Sequence, residues 1–387
     1  MIYDFDTPVD RRLSDSSKWS TCPPGVLPLP VADMDFLCPE PVVRALHERV
    51  DHGVFGYGCE PAGLREAIVD RLYRLYRWQV PTEALVFLPG VVAGFNLACR
   101  ALAAEGRGVL VQPPVYPPIL SAPGRHGLRR LEAPLVRGEG GRYQVDWDAF
   151  EEAASEAGLF LLCSPHNPVS RVFTRAELER LAETCLRHRV IICSDEIHCD
   201  LVYRGYEHIP IASLAPEVGR RTVTLMAPSK TYNIPGLHCA FAVIEDEALR
   251  RRYQLARAGL VGEPNVLGFV AALAAYREGQ EWLEQVLAYL EANRDFLAAH
   301  VAANLPGVRI TPVEGTFLAW LDCRELALPG GPSRFFLEEA RVDLSDGATF
   351  GAQGEGFVRL NFACSRGVLQ EALDRMAKAL EGVRPVA

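Results

Sequence analysis

The sequence predicts an α/β protein: a large domain whose mostly parallel sheet is covered by helices on both faces, followed by a smaller α+β domain. Three observations predict it. From about Leu85 to Ile244, short apolar runs alternate with segments of helical period, the pattern of a sheet buried on both sides. Beyond Ile244 the pattern turns helical and then mixed, which implies a second unit. Polar residues also follow several strand-like runs, at Asn167, Asp195 and Lys230. In open α/β sheets ligands bind beyond the carboxyl ends of strands, so these three can meet in one crevice although they are far apart in the chain.

The elements follow in order. The first forty-odd residues, rich in proline and aspartate, read as an arm packed on the smaller domain or on a neighbouring subunit. The stretch Arg71 to Trp78 interleaves basic and aromatic residues, and helical spacing puts Leu72, Leu75 and Tyr76 on one face. It reads as an amphipathic core helix with a basic outer face, not as a nucleic-acid site. Ala84 to Leu88 is a strand, followed by a glycine turn and an apolar helical stretch from Val91 to Ala104. Gly108 to Gln112 is a strand before a proline cluster, and Leu159 to Cys163 is a strand before Ser164-Pro-His-Asn-Pro168. Thr174 and Glu177 form a capping box for a helix carrying Leu178, Leu181, Cys185 and Leu186, closed by His188 and Arg189. Val190 to Ser194, Thr222 to Met226 and Cys239 to Ile244 complete the strands. Trp282 to Val301 is the longest helix, and Gly315 to Asp322 and Gly356 to Phe362 belong to the second unit. The expected limits are 1–48 for the arm with part of the small domain, 49–280 for the large domain and 281–387 for the small domain.

Length (387 residues) and a 49% hydrophobic content suffice for two packed cores. No apolar run approaches a membrane span and the N-terminus lacks a signal-peptide pattern, so a cytoplasmic location is expected. The eleven cysteines show no C-x-x-C pair and lie mostly in apolar runs, as reduced core thiols do. No metal site is expected. A net charge of -9 argues against nucleic acid as a partner.

Among forty basic residues only three are lysines. Lys18, in a polar N-terminal segment, and Lys378, in a terminal helix, read as solvated charges. Lys230, directly after an apolar run, is the exception. Arginine stays protonated and cannot condense with an aldehyde, whereas a buried lysine amine can, which points to pyridoxal 5'-phosphate. That cofactor also needs an anion site and a carboxylate facing its pyridine nitrogen. Asp195, at the end of an apolar strand, fits the second need because an ionised carboxylate there requires a cation; a helix N-cap is the other reading. The amides of Val91 and Val92 open a helix and would face a phosphate. Asn167 offers an amide donor for the ring oxygen or is simply a turn residue. Arg359, between apolar neighbours, is either a clamp for a substrate carboxylate or half of an inter-strand salt bridge. Tyr116 and Tyr57 are candidates to stack on the ring and to reach the phosphate, or are core aromatics.

Taken in order, Val31-Ala-Asp-Met-Asp-Phe36, Phe55-Gly-Tyr-Gly58, Pro89-Gly-Val-Val92, Pro114-Val-Tyr116, Ser164-Pro-His-Asn-Pro168, Ser194-Asp-Glu-Ile-His198, Pro228-Ser-Lys-Thr-Tyr-Asn233 and Val358-Arg-Leu-Asn361 span nearly the whole chain. The set resembles the fold-type I pyridoxal-phosphate enzymes of the class I/II aminotransferase superfamily, in particular the MalY/PatB-type cystathionine β-lyase (C-S lyase) branch. The resemblance implies a mostly parallel seven-stranded sheet and a homodimer. It implies that Lys230 is the catalytic lysine, Asp195 pairs with the pyridine nitrogen, Asn167 contacts the ring oxygen, Tyr116 stacks and Arg359 holds the α-carboxylate. His198 and Ser229 join the cofactor site, and Tyr57 reaches the neighbouring subunit's site. The implied reaction cleaves a cysteine S-conjugate to thiol, pyruvate and ammonia. An aminotransferase, a decarboxylation-coupled oxidative deaminase and a cofactor-binding regulatory protein are the alternatives.

Three positions depart from the wider pattern. His198 stands three residues after the aspartate, where aminotransferases usually carry tyrosine, and suits the lyase branch. His238 stands where they usually carry a phosphate-binding arginine. Ser170 replaces the glycine expected in the Asn-Pro-x-Gly-Arg motif, and serine adopts positive φ less cheaply.

Overall fold

The computed structural model describes residues 1–103 and 107–383. Its centre is a seven-stranded sheet of β1 (Leu85–Leu88), β2 (Gly108–Val111), β3 (Arg130–Glu132), β4 (Ala157–Cys163), β5 (Ile191–Asp195), β6 (Thr222–Met226) and β7 (Ala240–Val243). The spatial order is β1-β7-β6-β5-β4-β2-β3. Every pair from β6 to β3 is parallel, and β7 alone runs antiparallel to both of its neighbours.

Alternation along the strands divides the apolar side chains between two cores. Leu159, Leu161 and Cys163 of β4 enter one core with Val109, Val111, Val223 and Leu225. Phe160 and Leu162 enter the other with Leu110 and Ile192. This is why these runs read as continuous hydrophobic stretches. β3 escaped the sequence reading. It is a three-residue edge strand whose side chains are largely exposed, so it carries no apolar signature.

Three helices named later belong here: α1 (Leu64–Tyr76), α2 (Val91–Leu102) and α3 (Arg175–Arg187). α2 ends two residues short of the expected limit, and Ala104 lies outside the described residues. α3 has the predicted capping box, with Thr174 and Glu177 each satisfying the other's backbone N–H, and His188 as its C-cap. α1 corrects the expectation of Leu72, Leu75 and Tyr76 on one buried face with the basic residues outside. Leu72 is buried, but Leu75 is exposed and Arg71 points inward. The Arg71 guanidinium donates to Asp200 Oδ1 at 2.7 Å and lies over the rings of Tyr232 and Tyr276, a buried ion pair that periodicity alone cannot signal.

Beyond the sheet, α4 (Gln280–Asn304) and α5 (Arg366–Ala379) pack on a four-stranded antiparallel sheet. Its strands are β8 (Arg309–Ile310), β9 (Leu318–Asp322), β10 (Ser345–Asp346) and β11 (Phe357–Asn361), in the order β8-β9-β11-β10. The N-terminal arm joins this core: Phe5, Leu27, Leu29, Met34 and Phe36 are buried with Trp282, Leu290, Leu360 and Met376. Leu27–Pro28 also pairs in parallel with Val342–Asp343.

The arm overturns the reading of Lys18 as a solvated charge. Its side chain is fully buried, with Nζ 2.7 Å from Asp35 Oδ2. All eleven cysteines are free, and most are buried. Among the described residues no helix is long and apolar enough to cross a membrane.

Candidate active site

A cavity of about 520 Å³ opens where β1, β4, β5 and β6 end and where the smaller sheet meets them. Each strand delivers at least one candidate to it. Asp195 is the last residue of β5, and Asn167 lies in the loop after β4. Val91 and Val92 open α2 after β1, and Lys230 sits on the one-turn helix Pro228–Thr231 after β6. Tyr116, His198 and Ser229 also line the cavity, and Arg359 enters from β11 across the boundary. Residues spread from 91 to 359 therefore converge on one space, as the topology of the sheet predicts.

The electrostatics are unusual for so small a volume. Asp195 is buried; among the described residues its carboxylate accepts only the Ile197 N–H at 3.2 Å and has no ion-pair partner. Burial pushes its pKa up to about 7, partly opposed by that N–H and by the Lys230 charge. Lys230 Nζ donates to the carbonyl of Ala32 at 2.6 Å. Burial lowers its pKa to about 8, with Asp33 acting in the opposite sense. His198 is brought down to about 3 by burial and by the nearby Lys230 and Arg359 charges, so it is neutral at any ordinary pH. Its Nδ1 has no protein partner. Burial, with Asp195, raises the Tyr116 hydroxyl.

Among the described residues Arg359 makes no salt bridge to a carboxylate, so it does not form the inter-strand salt bridge that is one reading of its sequence. Instead Nη1 donates to Asn167 Oδ1 at 3.0 Å, and Nη2 to the Pro30 carbonyl at 2.6 Å and to Ser345 Oγ at 3.2 Å. Burial lowers its pKa to about 10, leaving it charged at neutral pH. A buried guanidinium held only by neutral acceptors is suited to a carboxylate from outside. Its bond to Oδ1 leaves the Asn167 amide nitrogen as a donor.

α2 begins at Gly90 with no side-chain cap, so the first-turn N–H groups of Val91 and Val92 are free to meet an anion. The donor set fits pyridoxal phosphate: a buried amine, uncapped helix amides and Ser229 lining the same cavity, and a buried carboxylate lacking a cation.

Two positions remain. Tyr57 is not a core aromatic and does not line the cavity of its own chain; it stands fully exposed at the surface. Ser170 does take the left-handed conformation, with φ of +54°. Its hydroxyl donates to the Leu318 carbonyl at 2.6 Å and lies 2.7 Å from Thr316 Oγ1, tying the Asn167 loop to β9.

Sequence reasoning assigned no role to the segment Pro30 to Ala32, whose carbonyls receive Arg359 and Lys230, nor did it find Ser345. The first acts through its backbone. The second is placed only by register, opposite Arg359 in the β10–β11 pair. His238 also lines the cavity, in a left-handed conformation.

The chain is similar to known proteins over nearly its whole length. Residues 24–376 match the family model described as aminotransferase class I and II. The chain is 38% identical over 386 residues to cystathionine beta-lyase PatB of Bacillus subtilis, covering 97% of this chain and 99% of that protein. Among solved structures, OvoB superposes with a TM-score of 0.94 at 44% identity, covering 98% of this chain and 100% of that one. Cystalysin from Treponema denticola, which contains pyridoxal 5'-phosphate, superposes with a TM-score of 0.94 at 31% identity, covering 98% and 99%.

Proposed function

The chain belongs to the aminotransferase class I and II family, and from that premise we propose that it is a pyridoxal 5'-phosphate-dependent carbon-sulfur β-lyase acting on a cysteine S-conjugate. One water is consumed, in hydrolysis of the aminoacrylate left after the thiolate departs, and the products are a thiol, pyruvate and ammonia. The observation that carries the reading is the pairing of buried Lys230 with a buried Asp195 that has no cation of its own, in a cavity whose third charge is Arg359. The likeness to a cystathionine β-lyase over nearly the full length of both chains supports the lyase direction.

When bound, the cofactor supplies an aldehyde for the amine and a ring that takes up the electrons released as the α C–H bond breaks. Asp195 would meet the protonated ring nitrogen and, once paired, be held ionised. The amides of Val91 and Val92, with Ser229, would hold the phosphate, and Tyr116 would cover the ring. Arg359 receives the substrate α-carboxylate with two parallel hydrogen bonds, assisted by the Asn167 amide. Lys230, whose amine deprotonates readily because burial disfavours its charge, takes the proton from the α-carbon. The thiolate then departs from the β-carbon. His198 stays neutral and adds no charge beside the amine.

The working unit in this reading is a homodimer, with Tyr57 lent to the neighbouring site; the exposed run Val54, Phe55 and Tyr57 supports that role. In this reading the arm with part of the small domain spans 1–48, the large domain 49–280 and the small domain 281–387. Purified protein supplied with the cofactor is tested by following pyruvate and free thiol together from S-alkyl cysteine or cystathionine. Equal release of both supports the lyase. A keto acid that keeps its sulfur indicates transamination, an aldehyde with carbon dioxide indicates oxidative decarboxylation, and no product leaves a regulatory role.

A further inference from the structure

The segment Pro30–Phe36, whose residues Pro30, Val31 and Ala32 form one wall of the cavity, is anchored from three directions. Asn361 Nδ2 donates to the carbonyls of Val31 and Asp33 at 2.6 and 2.7 Å. Asn233 accepts the Met34 N–H and donates to the carbonyls of Met34 and Phe36. The third anchor is ionic and comes wholly from the arm. Lys18 Nζ lies 2.7 Å from Asp35 Oδ2 and 3.5 Å from Asp33 Oδ1. Arg11 bridges Asp33 at 2.7 Å and Asp35 at 2.6 Å, and Trp19 Nε1 donates to Asp35 Oδ1 at 2.9 Å.

The cluster holds two cations against two carboxylates, so it is electrically balanced, and Lys18 has no solvent contact. Removing one partner of a buried pair strands the other charge, whereas removing one charge of each sign does not. The same wall delivers the Ala32 carbonyl to Lys230 Nζ and the Pro30 carbonyl to Arg359 Nη2. A shift of this wall therefore moves acceptors from both residues that handle the substrate.

We propose that Lys18 is a positioning residue: through the Arg11–Asp33–Lys18–Asp35 cluster it holds the Pro30–Phe36 wall in register with Lys230 and Arg359. Lys18 touches neither substrate nor cofactor; it acts through the backbone of residues 30–36. This rests on the amino-acid site described above only for the identity of the ligand.

The test compares the holoenzyme with Lys18→Met and with the charge-balanced double variant Lys18→Met/Asp35→Asn. Two readouts are used: binding of L-alanine, which has the amine and carboxylate but no β-leaving group, followed by the cofactor absorbance, and amide hydrogen exchange of residues 30–36. Lys18→Met is expected to weaken L-alanine about tenfold and to speed exchange in 30–36 with β4 and β5 unchanged. The double variant is expected to return both readouts to within about threefold of the parent. If Lys18→Met fails to fold, the double variant decides, since the charge balance requires it to fold and bind. Unchanged exchange in 30–36, unchanged L-alanine binding, or a double variant as defective as the single overturns the proposal. Should the parent bind no L-alanine, the amino-acid site itself fails, and exchange in 30–36 alone decides the role of Lys18.

Discussion

Replacing Ser170 by glycine is expected to destabilise the protein even though it relieves backbone strain. Ser170 holds φ at +54°, a conformation that costs an L-residue roughly 1–2 kcal/mol. Glycine recovers most of that but loses about 0.4–1 kcal/mol through greater freedom in the unfolded chain. The hydroxyl is fully buried, donates to the Leu318 carbonyl at 2.6 Å and lies 2.7 Å from Thr316 Oγ1. Deleting it leaves those groups short of a partner in a dry site, at about 1–3 kcal/mol. Strain relief exceeds the entropy term by only about 0.5–1 kcal/mol, so the lost bonds decide, and a net loss of about 1 kcal/mol follows for Ser170→Gly. Ser170→Ala loses the same bonds with no relief of the strain the parent already carries and is expected to lose about 2 kcal/mol. For a chain of this length unfolding entropy is about 0.8 kcal/mol per kelvin, so each kcal/mol moves the midpoint by only about 1 °C, and urea midpoints are the better assay. The expected order of stability is serine, then glycine, then alanine. A glycine variant as stable as the parent would refute the reasoning, because strain would then outweigh the hydroxyl's bonds.

Lys230→Ala is expected to lower turnover by at least about 10³-fold with the fold intact, read by pyruvate release and circular dichroism, because no other amine faces the cavity. Arg359→Met should raise KM for amino-acid substrates by about 10–100-fold, with Arg359→Lys recovering little, since lysine cannot make two parallel bonds. In the cofactor-free protein Asp195 has a folded pKa of about 7 against the ordinary aspartate value of 3.8, so the unfolded chain ionises first as pH rises. Its contribution to stability is present below about pH 4 and is lost as pH rises through about 7. Asp195→Asn should therefore match the parent at about pH 4 and exceed it at about pH 8 in urea midpoints; an equal gap at both pH values would contradict the raised pKa. Arg71→Met strands Asp200, which is 6% exposed and also accepts from Thr231 beside Lys230. A loss of about 3–5 kcal/mol is expected, measured by urea unfolding.

Local rules made much of this protein legible in its sequence. Strands buried on both faces announce themselves as apolar runs, and the Thr174–Glu177 capping box marks a helix start within one turn. Lys230, Asp195 and Asn167 were findable because each follows such a run, and strand ends in a parallel sheet face the same way. What local rules could not reach depends on partners distant in the chain. Lys18 and Arg71 carry the same charges as solvated residues; only Asp35 and Asp200, brought in by tertiary packing, make them internal. β3 is an edge strand recognised by its pairing and not by its side chains. Ser345 and the carbonyls of Pro30 and Ala32 serve the site through register and backbone, which no residue type encodes. Side-chain chemistry and periodicity were set by the sequence alone, while the tertiary structure decided which charges are buried together and which backbone atoms face the reacting amine, because burial and pairing are properties of the assembled cores.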